Sequence, residues 1–276
     1  MYGFTECLAN VRKMSPLVHA ITNYVTVNDV ANVLLSCGAR PIMADCPEEA
    51  AEITALANAL VLNIGTLNRQ TIDAMFIAGK KANEIGLPVI LDPVGAGASR
   101  LRTKTARQIT KEIRLAAIRG NISEIKALIS DTRSTDGVDA NIDDLVDEDN
   151  LLAMTQFTKS VAAQLKTVVA ITGKIDLVGD ATACYIIRNG RSEMAKITGT
   201  GCQLSALVGA FTAANKNEPL KATAAAVVMM GTAGEIALGK LKADEGNATY
   251  RQKIIDAIYL MDSDTVEKEA KCEICR

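Results

Sequence analysis

The chain has no tryptophan, a single histidine, and aromatic residues at only 3% of its 276 positions. Without aromatic platforms there is little on which bases or sugars could stack. One histidine, His19, removes the zinc hydrolase schemes, which draw on several. An excess of one charge is also missing: 30 Lys and Arg face 32 Asp and Glu, a net charge of −2. No basic field is available for a nucleic-acid backbone or an anionic membrane, so neither is expected as a partner. Long hydrophobic runs are absent too. The most apolar stretch, 222–234, is rich in Ala and too short to cross a bilayer, and it reads as a buried helix. The first residues lack the basic and apolar regions of a signal peptide. The seven cysteines therefore read as reduced thiols of a cytoplasmic protein. Cys272 and Cys275 form a C-x-x-C without a second pair or a histidine to complete a zinc site. The 271–276 tail reads as a frayed end.

What is present is apolar residue in quantity, 49% of the chain, enough for a sizeable core. Short apolar runs at 17–21, 40–43, 59–63, 88–92 and 168–171 read as strands buried on both faces. Between them, 27–37, 47–57 and 67–85 carry helical patterns with fitting ends: Gly38 after the first, Pro47 opening the second, Gly86 closing the third. This β-α-β-α order predicts an α/β fold with a largely parallel central sheet and helices on both faces. Segments 175–178 and 183–187, joined through Gly179-Asp180, read as a hairpin, and 201–214, 220–241 and 247–260 as helices. The acidic 131–150 segment reads as an exposed loop before a helix at 151–165. Strand and helix alternation resumes after it, so 1–276 reads as one domain.

Gly199-Thr200-Gly201-Cys202 opens a helix of small residues. Two glycines there let backbone N–H groups converge where the helix dipole adds positive charge, a place for a phosphoryl group. A tight turn has the same signature. Asp92 ends an apolar strand before Pro93-Val94-Gly95-Ala96-Gly97. It faces either a metal or phosphate beyond the strand end, or its own turn. Asn121 and Glu124 have capping-box spacing, which does not exclude a second role for Glu124 toward a metal-bound water. A Cys202–His19–Asp92 triad can be written, but no spacing favours it over a histidine bonded to backbone groups. Gly234 to Lys240 has Walker-A spacing but is followed by Leu241 where Ser or Thr is needed.

Taken in order, the stretches 15–26, 38–44, 63–67, 91–98, 119–125, 171–173 and 197–202 resemble the hydroxyethylthiazole kinase family of the ribokinase-like superfamily. The resemblance implies an ATP-dependent kinase that phosphorylates the hydroxyl of 4-methyl-5-(2-hydroxyethyl)thiazole in thiamine biosynthesis or salvage. It implies that Met43 and Gly199 line the thiazole site, with Asn23 near the alcohol. Arg119 and Thr172 would bind ATP, and Asp92 and Glu124 would serve the Mg²⁺–phosphate region. Cys202 stands where related sugar and pyrimidine kinases carry an aspartate, as a proton acceptor or a small wall residue. A homotrimer with sites near subunit interfaces is implied as well. Two other classes fit the superfamily: an ADP-dependent NAD(P)H-hydrate dehydratase, which should lack the 15–26 stretch, and a non-enzymatic nucleotide-binding protein.

Overall fold

The computed structural model describes residues 2–130 and 145–276. Six parallel strands form the body of the sheet: β1 (Leu17–Ile21), β2 (Arg40–Ile42), β3 (Ala59–Asn63), β4 (Val89–Asp92), β5 (Ala117–Gly120) and β6 (Val168–Ile171). Three antiparallel strands extend it: β7 (Asp176–Gly179), β8 (Cys184–Ile187) and β9 (Cys272–Cys275). The strand order is β2-β1-β3-β4-β5-β6-β7-β8-β9.

Successive side chains of a strand point to opposite faces, and each face has its own core. Val61 and Ile90 join Val18, Ala117 and Val168 under α1 (Phe4–Met14), α2 (Val27–Cys37), α8 (Thr200–Ala214) and α9 (Pro219–Gly239). Their neighbours Leu60, Leu62, Val89 and Leu91 face α4 (Arg69–Glu84), α5 (Arg100–Glu112), α6 (Ile122–Ile129) and α7 (Leu151–Leu165). Helices on both faces leave the strands no polar side. That is why β3 and β4 are continuous apolar runs, not alternating ones.

The expected helices at 27–37, 47–57 and 67–85 appear as α2, α3 (Pro47–Leu56) and α4, with Gly38 left-handed at φ 96 after the first. Those at 201–214, 220–241 and 247–260 appear as α8, α9 and α10 (Asn247–Leu260). The apolar stretch 222–234 lies inside α9, which at 21 residues is long enough to cross a membrane. In the fold, 78% of its apolar window is buried. The 131–150 loop falls largely outside the described residues. At its end Val146 is buried and the Asn150 side chain accepts from the Asp147 N–H at 3.1 Å.

The tail is a correction. Residues 272–275 are not frayed but form β9, which covers the β8 edge with Ile187 opposite Cys272 and Cys184 opposite Cys275. Cys272 reaches the core, and Tyr2 donates from its hydroxyl to the Cys272 carbonyl. Backbone pairing across 85 residues or more is a tertiary effect that local composition does not encode.

Candidate active site

In a parallel sheet, polar residues at the C-terminal strand ends share one pole. Asn63 ends β3, Asp92 ends β4, and the two are register partners on neighbouring strands. Arg119 lies near the end of β5, Thr172 just after β6, and Asn23 just after β1. The first turn of α8 meets this row. Gly199, its N-cap, is left-handed at φ 91, and a Cβ there would lie 2.6 Å from the Thr26 methyl. A Cβ on Gly201 would lie 2.3 Å from Arg119 Nη1. Both glycines are thus required: one by backbone conformation, the other by the approach of a guanidinium to the helix. No side chain caps the α8 N-terminus, so its first N–H groups face the row of strand ends.

Asp92 is fully buried. Its Oδ2 accepts from Asn63 Nδ2 at 2.9 Å and Ser205 Oγ at 2.7 Å, with Arg119 Nη1 at 3.8 Å. Its Oδ1 has no partner. Burial pushes the carboxyl up to about 6, against the pull of Arg119 and the Ser205 and Asn63 hydrogen bonds. Arg119 Nη2 donates to Thr172 Oγ1 at 2.6 Å. Half-buried Asp176 also acts on Arg119. It accepts from the Gly173 N–H at 2.8 Å, and loss of surrounding water pushes it up to about 7. Asn23 Nδ2 donates to Asn63 Oδ1 at 3.1 Å and to Cys202 Sγ at 3.2 Å.

The site residues expected from sequence therefore fall into one connected cluster of Asn23, Asp92, Arg119, Thr172, Gly199 and Cys202, with two neighbours. Met43 lines an adjoining cleft of about 160 Å³ together with Thr22, Tyr24 and Thr66, next to Asn23 in the chain. Glu124 forms a complete capping box with Asn121, its Oε2 accepting the Asn121 N–H at 2.9 Å. Its Oε1 accepts the Gly95 N–H at 2.8 Å, so the same carboxylate also pins the turn after Asp92. His19 is not part of the cluster. It sits buried between Thr54 Oγ1 and the Ala44 carbonyl at 2.9 and 2.8 Å, and the written triad does not form. A wider cavity of about 670 Å³ opens at the opposite pole, between Leu87, Leu115, Thr167 and Pro219, away from every one of these polar groups.

Asn63, Ser205, Asp176 and Thr26 were not singled out from sequence. Asn63 carried a usable signal, a polar residue closing an apolar strand just as Asp92 does. The oxygen chemistry of Asp92 and Glu124 would suit a divalent cation. The orphaned buried Oδ1 is an acceptor in need of a cation or donor, and hard oxygen donors suit Mg²⁺. Among the described residues no three His, Cys, Asp or Glu converge, so two carboxylates are what the chain offers. Mg²⁺ commonly takes one or two carboxylates plus phosphate oxygens.

The chain is similar to known proteins along most of its length. Residues 8–264 match the hydroxyethylthiazole kinase family. A hydroxyethylthiazole kinase of Clostridium acetobutylicum is 50% identical over 268 residues, covering 97% of this chain and 98% of that protein. The solved hydroxyethylthiazole kinase protein from Pyrococcus horikoshii OT3 is 36% identical, with a TM-score of 0.87 and full coverage of both chains. The ADP/ATP-dependent NAD(P)H-hydrate dehydratase from Bacillus subtilis superposes with a TM-score of 0.58 at 17% identity, covering 90% of each chain, and shares the fold alone. With its family matched over nearly the whole length and its glycine turn, strand-end carboxylate and Cys202 gathered at one pole, the chain belongs to the hydroxyethylthiazole kinase family.

Proposed function

We propose that this pole of the sheet transfers the γ-phosphoryl group of ATP to the hydroxyl of 4-methyl-5-(2-hydroxyethyl)thiazole, in thiamine biosynthesis or salvage. One observation carries the reading: an uncapped glycine-rich helix N-terminus stands between Arg119 on one side and the Asn23–Cys202 pair on the other. Such a terminus suits a phosphoryl group in transit. ATP lies along Arg119 and Thr172, whose forked guanidinium suits phosphate oxygens. The thiazole ring rests against Met43 and Gly199, and its alcohol faces Asn23 and Cys202. Asp92 and Glu124 would hold Mg²⁺, which when bound would offset the charge of the phosphate oxygens.

Phosphoryl transfer of this kind is mainly positioning and electrostatics, with a loose transition state. The chain's own contribution is to bring the alcohol oxygen in line, to aim the Gly199–Cys202 amides at the migrating group, and to receive the alcohol proton. Cys202 Sγ accepts that proton late. The whole chain works as one domain, in the cytoplasm, as a homotrimer. Tyr24 and Val25, 78% and 59% exposed beside the thiazole cleft, support a subunit contact there.

The deciding experiment offers a panel of small alcohols with ATP and Mg²⁺ and follows product by mass. The thiazole alcohol is expected to become the monophosphate with release of ADP. No transfer to it, together with nucleotide-dependent dehydration of hydrated NADH, would replace this reading with the lyase. Light scattering is expected to give three subunits, and a fully active monomer would remove the shared site.

A further inference from the structure

Hydrogen-bond polarity around Asp92 runs in one direction, and backbone groups fix it. A carboxylate only accepts, so the Asn63 atom 2.9 Å from Asp92 Oδ2 is the amide nitrogen. Asn63 Oδ1 then lies on the other side, where the Gly65 N–H donates to it at 3.0 Å. A backbone N–H cannot accept, so this second anchor independently demands the same orientation. Asn63 Oδ1 receives Asn23 Nδ2 as well, at 3.1 Å. Asn23 is held from its other end, where Thr26 N–H and Oγ1 donate to Asn23 Oδ1 at 3.2 and 3.1 Å. The remaining hydrogen of Asn23 Nδ2 is thereby aimed at Cys202 Sγ, 3.2 Å away. An amide's two ends have nearly equal shapes, so only such a network decides which one faces a neighbour.

We propose that Asn63 is a positioning residue that sets the polarity of the Asn23–Cys202 pair. It holds the amide nitrogen of Asn23, and not its oxygen, against the sulfur. The sulfur then receives a hydrogen bond from that nitrogen, in the first turn of α8. Asn63 itself is 2% exposed and acts only through Asn23 and Asp92. It thus couples the carboxylate at the end of β4 to the alcohol end of the site, 179 residues separating Asn23 from Cys202 in the chain. The inference rests on the reading of Asn23 and Cys202 as the alcohol end, but its structural part can be tested without either substrate.

The test is Asn63→Leu, which keeps the branched shape of the side chain but removes both the donor to Asp92 and the acceptor that Asn23 Nδ2 and Gly65 N–H share. Iodoacetamide labelling of Cys202 is followed by peptide mass spectrometry, with exposed Cys46 of the same chain as internal reference. The Cys202-to-Cys46 rate ratio at neutral pH is expected to fall about tenfold, as for loss of a hydrogen bond to a charged group. Thr26→Val removes one of the two donors that hold Asn23 Oδ1 and should lower the ratio about threefold. It decides the matter if Asn63→Leu does not fold. An unchanged ratio in whichever folded variant is measured would overturn the proposal. A fall in the ratio with turnover on the thiazole intact would uphold the positioning and remove Cys202 as proton acceptor.

Discussion

Asp92 is held ionised against its surroundings. Burial raises its pKa to about 6, so the folded chain binds that proton more tightly than the unfolded chain does. The sign follows: its contribution to stability is full below the ordinary carboxylate range and is lost as pH rises through about 6. Activity runs the other way, because a protonated Asp92 cannot offer two negative oxygens to a cation. Asp92→Asn is therefore expected to lower turnover by about 10²-fold or more, on the scale of a lost electrostatic group in a water-poor site. At pH 8 its thermal unfolding midpoint should hold or rise. A variant of near-normal turnover at saturating Mg²⁺, or one that melts well below the parent, would contradict this account. For Cys202 the comparison is of rank. As proton acceptor it tolerates Asp, already ionised at neutral pH, and suffers from Ala by about 10²–10⁴-fold at most. As a wall residue it tolerates Ala and suffers from Asp. The Asn23 donor on the sulfur favours the first order, and turnover of the three forms at saturating substrates checks it.

The elements that carry the site were legible because each is specified locally. Strands β1, β3, β4 and β6 are apolar runs bounded by turn residues, and α2 and α4 end at glycines. Helix α5 escaped, since only Thr105, Ala106 and Ile109 of its 13 residues are buried and its apolar stripe is thin. Helix α1 escaped for another reason: Phe4, Cys7, Leu8 and Val11 do follow helical spacing, but Gly3 at the N-cap provides no capping side chain to mark where the helix starts. In the site, Asp92 was legible as a carboxylate closing an apolar strand and Asn23 and Arg119 came from resemblance, whereas Asn63 and Ser205 came from neither. Their bonds to Asp92 span 29 and 113 residues, and no local pattern records such a partner. Strand β9 belongs to the same class. Ending the chain after Ala270 would strip β8 of its outer partner and Tyr2 of its acceptor on Cys272. That truncation should lower the unfolding midpoint by several degrees, since 1 kcal/mol shifts a domain of this size by about 2–4 °C. An unchanged midpoint would mean that the edge strand contributes nothing.

Across the whole molecule, the polar cluster sits at one pole while the beginning and end of the described chain are knit together at the β8–β9 edge. Phe4 N–H donates to Glu267 at 2.7 Å, and the rings of Tyr2, Phe4 and Tyr185 pack on one another. This edge also sets Cys184 directly opposite Cys275, both packed toward the same core. Directly opposed residues in antiparallel strands have Cα atoms about 4.5–5.5 Å apart, within the span of a disulfide. Burial raises the Cys184 thiol to about 12, so the half-exposed Cys275 is the one to react first. With oxidised glutathione, Cys275 would displace one glutathione thiol and Cys184 the second, leaving a protein disulfide and two reduced glutathiones. The cross-link would close a loop of about 90 residues, for which chain entropy alone predicts about 4–5 kcal/mol of stabilisation. Oxidised protein should melt higher than reduced protein, Cys275→Ser should erase the difference, and peptide mapping should find the 184–275 pair. If no such peptide forms under oxidation, the two thiols face apart despite their register. If it does, an edge that serves the fold as a simple cover is also a place where the redox state of the surroundings can be written into the chain.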